Sequence, residues 1–419
     1  MPLSQKERLD LENWRREHHI TFIDEIPSDL QPPDYAAAFE AVDKIKQVTY
    51  RSYIEHSSGH ITPGDAPGKA RLKSSAVNLV GNAGDCVARN EETWRLDCEH
   101  IMLRRLESDA VCTHCHKSVP ESEEALACIG PRWSPAEQEW DLDRCSCLPR
   151  ARPDDQNRRT RHKRIFIARA SDRVLDPDRR AFGIRKGRKP DRVYGLRQTL
   201  AFEECLPSVM LNNEPLKHQF SKQPHPPSGE PLLYPFLVVE AKGCKASDDW
   251  DSICLQTAFP IYTYLNTQQR LRDATARLGG GSISAPLVWF IMSRGEDWRV
   301  YLAYHSPIRP GSTPSSTMQA TNVVRVWTGC ITTLDGALQL LLIIDYLADW
   351  ARDLYRPAVL AALNILATPG IKPEPDSATE GTCRSPLPHV PRVARHHPYH
   401  HPRKCAYDRL LVLARRKPV

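Results

Sequence analysis

A glutamate and a lysine one residue apart close an otherwise apolar run, "LYPFLVVEAKG" over residues 233–243. In an extended strand, positions i and i+2 project from one face, so Glu240 and Lys242 point together while Val239 and Ala241 point the other way. A charge buried there without a partner is strongly unfavourable, so each group needs a counter-charge, a bound cation or a solvent-filled cleft. Upstream, "RKPDRVYG" sets Asp191 directly after Pro190 at the start of a second expected strand. Proline lacks a backbone donor, which suits the entry or edge of a strand. If the two strands pair in register, Asp191 and Glu240 converge. Converging carboxylates repel each other, and a divalent cation bound through oxygen is the simplest neutraliser.

The elements that must position these groups are legible around them. Helices are expected over Gln5–Glu17 and, after the Pro32-Pro33 break, from Tyr35 to about His56, followed by a linker over Ser57–Ser75. "RNEETWRLDCEHIMLRRLE" spaces Trp94, Cys98, Ile101, Met102 and Leu106 as one helical stripe, with Asn90 placed to cap its start. Strands follow at "DRVYGLRQTL", "LLYPFLVVEAKG", the pair in "APLVWFIMSRGEDWRVYLAYH" joined at Gly295-Glu296-Asp297, and "TNVVRVWTG". Between them lies a long helical segment, "DDWDSICLQTAFPIYTYLNTQQRLRDATARL", which Pro260 should kink or interrupt. A second long helix, beginning "LDGALQLLLIIDYLADW", should end or bend near Pro357, with Asp335, Asp345 and Asp349 on its solvated face. Trp94 and Tyr262 are expected as core aromatics. Helices alternating with strands in this order predict an α/β fold around one central sheet.

With those motifs in place, the chain resembles the PD-(D/E)XK, or restriction-endonuclease-like, superfamily, and is most similar to its fungal nuclease-like branch. Pro190-Asp191 followed by Glu240-Ala241-Lys242 matches the signature, and "NEETW" at 90–94 resembles a helix motif that precedes it. The resemblance covers roughly residues 85–365. It implies a central mixed sheet flanked by helices and a metal-dependent nuclease acting on nucleic acid, DNA in the first place. Asp191, Glu240 and the Ala241 carbonyl would hold Mg²⁺ or Mn²⁺. Glu91 would be the acid of the preceding helix and could complete the metal shell. Lys242 would orient water or stabilise charge on the phosphate, and Gln256 would hydrogen-bond water or phosphate from the next helix. One departure stands out: 48 residues separate Asp191 from Glu240, where the family core uses a short hairpin. The stretch "LNNEPLKHQFSKQPHPPSGEP" is then an excursion, or Glu203 or Glu204 replaces Asp191. The competing reading is a catalytically inactive nuclease-like module that binds nucleic acid or protein.

Charge is concentrated rather than spread. The formal net charge is +6, and residues 371–419, with ten Lys/Arg against four Asp/Glu, account for it. Residues 150–192 hold sixteen Lys/Arg against six Asp, including "RRTRHKR", a composition suited to phosphate backbones or nuclear import. The expected organisation is N-terminal helices and linker (1–75), a nuclease-like domain (76–368) with a Cys-containing insertion (111–149) and the basic block, and a disordered Pro/His/Arg-rich tail (369–419). "CTHCH" and "CSC" could hold a structural zinc through Cys112 and Cys115, although the second pair is too closely spaced for the common pattern. Thirteen scattered cysteines read as thiols. The charged N-terminus lacks a signal-peptide pattern, and no apolar run reaches the roughly 18 residues that cross a bilayer. An intracellular location, nuclear or cytoplasmic, without a membrane partner is the expectation.

Overall fold

The computed structural model describes residues 4–55, 66–87, 89, 91–107, 165–170, 190–206, 209–211, 214–216, 231–243, 249–279, 284–307 and 319–367. Met1–Ala367 forms one compact unit and Thr368–Val419 is assigned to another. The basic tail at 369–419, the 111–149 insertion with Cys112 and Cys115, and most of the 150–192 block lie outside the described residues.

The first unit opens with α1 (Gln5–Glu17), β1 (Ile20–Ile23), α2 (Ala36–Lys46), α3 (Tyr50–Glu55) and α4 (Ala66–Cys86). Next come α5 (Glu91–Trp94), a π-helical turn (Arg95–Glu99) and α6 (His100–Glu107), then β2 (Phe166–Ala170), β3 (Arg192–Arg197) and α7 (Leu200–Cys205). A two-stranded ribbon, β4 (Met210–Leu211) with β5 (Glu214–Pro215), precedes β6 (Leu232–Lys242), α8 (Trp250–Arg277), β7 (Val288–Arg294), β8 (Asp297–Pro307) and β9 (Gln319–Cys330). The unit ends with α9 (Leu334–Trp350), a second π turn (Ala351–Tyr355) and α10 (Arg356–Ala367).

Seven strands form one mixed sheet in the order β1-β9-β8-β7-β6-β3-β2. β6 and β7 are parallel, joined by α8 as a crossover, and β1 is parallel to β9; the other pairs are antiparallel. β6 is buried from Leu232 to Ala241 because helices cover both faces. On one side Val238, Phe290, Tyr301 and Val323 pack against Ile253, Ala258 and Leu265 of α8 and Trp14 of α1. On the other, Phe236 and Trp289 meet Trp350 edge to face, and Phe236 also meets Tyr355. Removing such a ring, as in Phe236→Ala, costs about 3–5 kcal/mol.

Several expectations are corrected. The helix expected from Tyr35 to His56 divides before Tyr50, because Thr49 and Ser52 cap the second piece: Ser52 N–H donates to Thr49 Oγ1 at 3.1 Å. The supposed Ser57–Ser75 linker is helical from Ala66 onward. Leu72, Ala76, Leu79, Ala83 and Cys86 place a buried stripe on α4 that packs against α9, outweighing the poor helix propensity of its glycines and serines. α8 passes through Pro260 without interruption, its flanking residues Phe259 and Ile261 both buried. The late helix changes geometry before Pro357: the π turn at Ala351–Tyr355 accommodates a residue that cannot donate to its preceding turn. Asp345 and Asp349 are partly buried and paired with arginines rather than solvated, and Asp335 accepts Tyr50 N–H at 2.6 Å. Trp94 is buried and Tyr262 packs against the core. Among the described residues, Cys86, Cys98, Cys254 and Cys330 are free thiols, and no helix is long and apolar enough to cross a membrane.

Candidate active site

The 48 residues between Asp191 and Glu240 do not separate them in space, because β3 and β6 are sheet neighbours. Part of that interval is anchored structure: α7 buries Phe202 and hydrogen-bonds α10 through Cys205 Sγ to Asn364 Oδ1 at 2.7 Å. Residues 217–230 lie outside the described residues.

A β-bulge sets the register. Leu196 pairs with Leu233, but Tyr194 pairs with Leu237, so β6 contains two extra residues at this point. Continuing the first pairing down the hairpin would bring Asp191 opposite Val238; the bulge brings it opposite Glu240. Tyr234 takes the left-handed conformation there, with φ of 43°, a strained choice for a bulky side chain. Its carbonyl accepts from Tyr355 Oη at 3.0 Å, while the Gln268 amide donates to the Pro235 carbonyl at 3.0 Å. Gly195 is needed opposite the bulge, since a Cβ would lie 2.8 Å from the Leu233 carbonyl.

Asp191 and Glu240 are consequently interlocked. Asp191 N–H donates to Glu240 Oε2 at 3.0 Å, and Ala241 N–H donates to Asp191 Oδ2 at 2.8 Å. Lys242 Nζ lies 2.6 Å from Glu240 Oε1. Glu240 is 3% exposed, and burial together with the Asp191 charge raises its pKa, against the opposing pull of Lys242. Burial lowers the Lys242 pKa, but the Glu240 and Asp191 carboxylates outweigh it and keep the ammonium more basic than an ordinary lysine.

The preceding helix enters through Arg95. Its guanidinium donates to Glu91 Oε1 at 2.7 Å and pairs with Asp191 Oδ1. Glu91 thus reaches the pair through a bridging cation, and its backbone is close to Gly243, where an added Cβ would sit 3.5 Å from Glu91 N. One helical turn beyond Arg95, Glu99 is 2% exposed, and burial pushes its carboxyl pKa up to about 7 even though Arg192 and Arg95 oppose the shift. Arg192 Nη2 is 3.7 Å from Glu99 Oε2, its Nη1 is 2.7 Å from Glu107 Oε1, and Tyr194 Oη donates to that same oxygen at 2.6 Å.

The structure therefore joins Asp191, Glu240, Ala241 and Lys242 directly and Glu91 indirectly. Gln256 is not joined: it is half-buried on α8 and its Nε2 has no hydrogen-bond partner among the described residues. Glu203, the alternative acid, is exposed on α7, and no hydrogen bond or ion pair ties it to Glu240; the Glu204 side chain lies outside the described residues. Arg95, Glu99, Arg192, Tyr194 and Glu107 were not foreseen. A signal for Arg95 existed, since it stands four residues after Glu91 on a helix, the spacing of an ion pair.

As donors for a hard cation, the four carboxylate oxygens of Asp191 and Glu240 each engage one protein N–H and retain a second lone pair. Among the described residues, no three His, Cys, Asp or Glu side chains form a ready-made metal cage. The donor set that fits a divalent ion is accordingly the interlocked pair, and one of those oxygens is paired with Arg95. No family model, curated protein or solved structure matches this chain.

Proposed function

We propose that this chain is a metal-dependent nuclease with a restriction-endonuclease-like core, hydrolysing phosphodiester bonds of nucleic acid, DNA in the first place. The observation that carries the reading is the interlock of Asp191 and Glu240, with bonds of 3.0 and 2.8 Å, beside Lys242 at 2.6 Å. It is supported by sheet order: β3 pairs with β6, α8 follows the Glu-x-Lys strand, and further strands complete a mixed sheet of the kind the resemblance implies.

Asp191, Glu240 and the Ala241 carbonyl would hold Mg²⁺ or Mn²⁺, with Glu91 close by. The cation would supply Lewis-acid polarisation of the scissile phosphate and activation of water. Lys242, kept charged by its two acidic neighbours, orients that water or stabilises negative charge growing on the phosphate oxygens. Burial of Glu240 among these groups excludes bulk water and strengthens every charge interaction around it.

The second reading, an inactive nuclease-like module that binds nucleic acid or protein, draws on the engagement of Asp191 by Arg95. Incubation of purified protein with DNA and Mg²⁺ separates the two. Wild type should cleave, and Lys242→Ala should lose about a hundredfold or more of the rate. Equal cleavage by both proteins, or none by either, would refute the nuclease assignment.

A further inference from the structure

Arg95 is the feature of the site that the motif does not explain. It lies in the π turn between α5 and α6, 29% exposed, and bridges Glu91 and Asp191. Burial opposes its charge, and Asp191, Glu91 and Glu99 outweigh that effect. Around it, Glu91, Glu99, Glu107, Asp191 and Glu240 are met, among the described residues, by Arg95, Arg192 and Lys242. The guanidinium is already at one oxygen of the candidate donor pair.

We infer that Arg95 is an internal counter-ion that competes with the divalent cation for Asp191. The inference rests on the proposed reading of Asp191 and Glu240 as cation donors and adds a control over their occupancy. In the cation-free protein Arg95 neutralises Asp191 and relieves its repulsion with Glu240. When a divalent ion binds, Arg95 releases Asp191 and stays on Glu91, its second partner on the same helix. Glu91 then acts as the holder of Arg95, a positioning residue, and Arg95 sets the cation concentration at which the site fills. Nothing else need move, because Glu91 and Arg95 are four residues apart on one helix face.

The test measures Mn²⁺ binding directly, by calorimetry and by the shift in melting temperature on adding Mn²⁺, in full-length wild type, Arg95→Gln, Arg95→Lys, Glu91→Gln/Arg95→Gln and Asp191→Asn. Loss of a charge-assisted bond that must be broken on binding should make Arg95→Gln bind Mn²⁺ roughly tenfold more tightly than wild type. Arg95→Lys, which cannot fork between two carboxylates, should fall between them and serves if the Gln variant does not fold. If Glu91 works only through Arg95, the double variant binds as tightly as Arg95→Gln; weaker binding than Arg95→Gln would make Glu91 a ligand and overturn that part. Asp191→Asn should abolish the binding. Equal or weaker Mn²⁺ binding by both Arg95 variants overturns the inference. DNA cleavage by the same samples separates the readings: tighter binding without cleavage sinks the nuclease and leaves the counter-ion, whereas cleavage with unchanged affinity does the reverse.

Discussion

At the end of β6, the acids Glu91, Glu99, Glu107, Asp191 and Glu240 are met by Arg95, Arg192 and Lys242. Between α4, α6 and α9, by contrast, Asp345, Asp349 and the adjoining Asp353 are met by Arg71, Arg105 and Arg352. Both regions bury charge; among the described residues the second joins three acids to three arginines, and the first five acids to three bases. In a matched network each desolvated charge is repaid by a partner, so the ions fix helix packing and have little left to offer a ligand. Burial raises a carboxyl pKa in each region, at Glu99 to about 7 and at Asp345 above its ordinary value, but at the end of β6 two carboxylates, Asp191 and Glu240, interlock, and a divalent cation can offset their repulsion. Burial of ionisable groups therefore marks both sites equally, and the interlocked carboxylates beside Lys242 distinguish the one proposed for chemistry.

Paired acid-to-amide substitutions are the strongest way to break this contrast. Asp191→Asn should reduce Mg²⁺-dependent DNA cleavage by on the order of a thousandfold. Its stability in urea should change by less than about 1 kcal/mol, because the loss of the Arg95 pair is offset by relief of repulsion with Glu240. Asp349→Asn should do the opposite. It leaves Arg105 and Arg352, 3.0 and 2.9 Å away and both largely buried, without their shared carboxylate. The expected cost is about 1–2 kcal/mol of unfolding free energy with cleavage unchanged, since Arg352 keeps Asp353 at 2.6 Å and Arg105 keeps Asp345 at 3.8 Å. If both variants lose stability alike, the two networks are structurally equivalent and the distinction fails.

The two regions were also unequally legible in the sequence. β6 to β9 were readable because apolar, β-branched and aromatic residues fill them and turn residues such as Gly295, with φ of 61°, bound them. Asp191 and Glu240 were readable as a pair because each sits at the end of such a strand. β1 and β2 were not. Ile20–Ile23 is four residues whose partner, β9, lies some three hundred positions away, and Phe166–Ala170 is a short apolar run inside a basic block. Both are edge strands, formed by the sheet they join rather than by their own pattern. The Asp345 network was misread as a solvated helix face, since helical periodicity places Asp345 and Asp349 together but does not reveal that α6 and α4 bring arginines to them. Arg95 depended on both kinds of information, a local spacing to Glu91 and a long-range approach to Asp191, and only the first is written in the chain.

The most gradual expected effect concerns pH. Glu99 binds a proton more readily folded than unfolded, with its pKa raised from 4.5 to about 7 chiefly by burial. Its contribution to stability is therefore fully present below about pH 4.5 and is lost as pH rises through 7. His305 on β8 behaves in the opposite sense: burial lowers its pKa from 6.5 to about 4, so its contribution is present above about 6.5 and is lost as pH falls through 4. The two slopes oppose each other across the window they share. Unfolding free energies of wild type and Glu99→Gln, measured in urea from pH 4 to 7.5, isolate one of them. The variant should gain on wild type by roughly 1 kcal/mol per pH unit between about 4.5 and 7. His305→Gln should gain on wild type as pH falls from about 6.5 to 4. A pH-independent difference for Glu99→Gln would mean that Arg192 and Arg95 fully offset the burial of Glu99, and the contrast between the two regions would weaken at that residue.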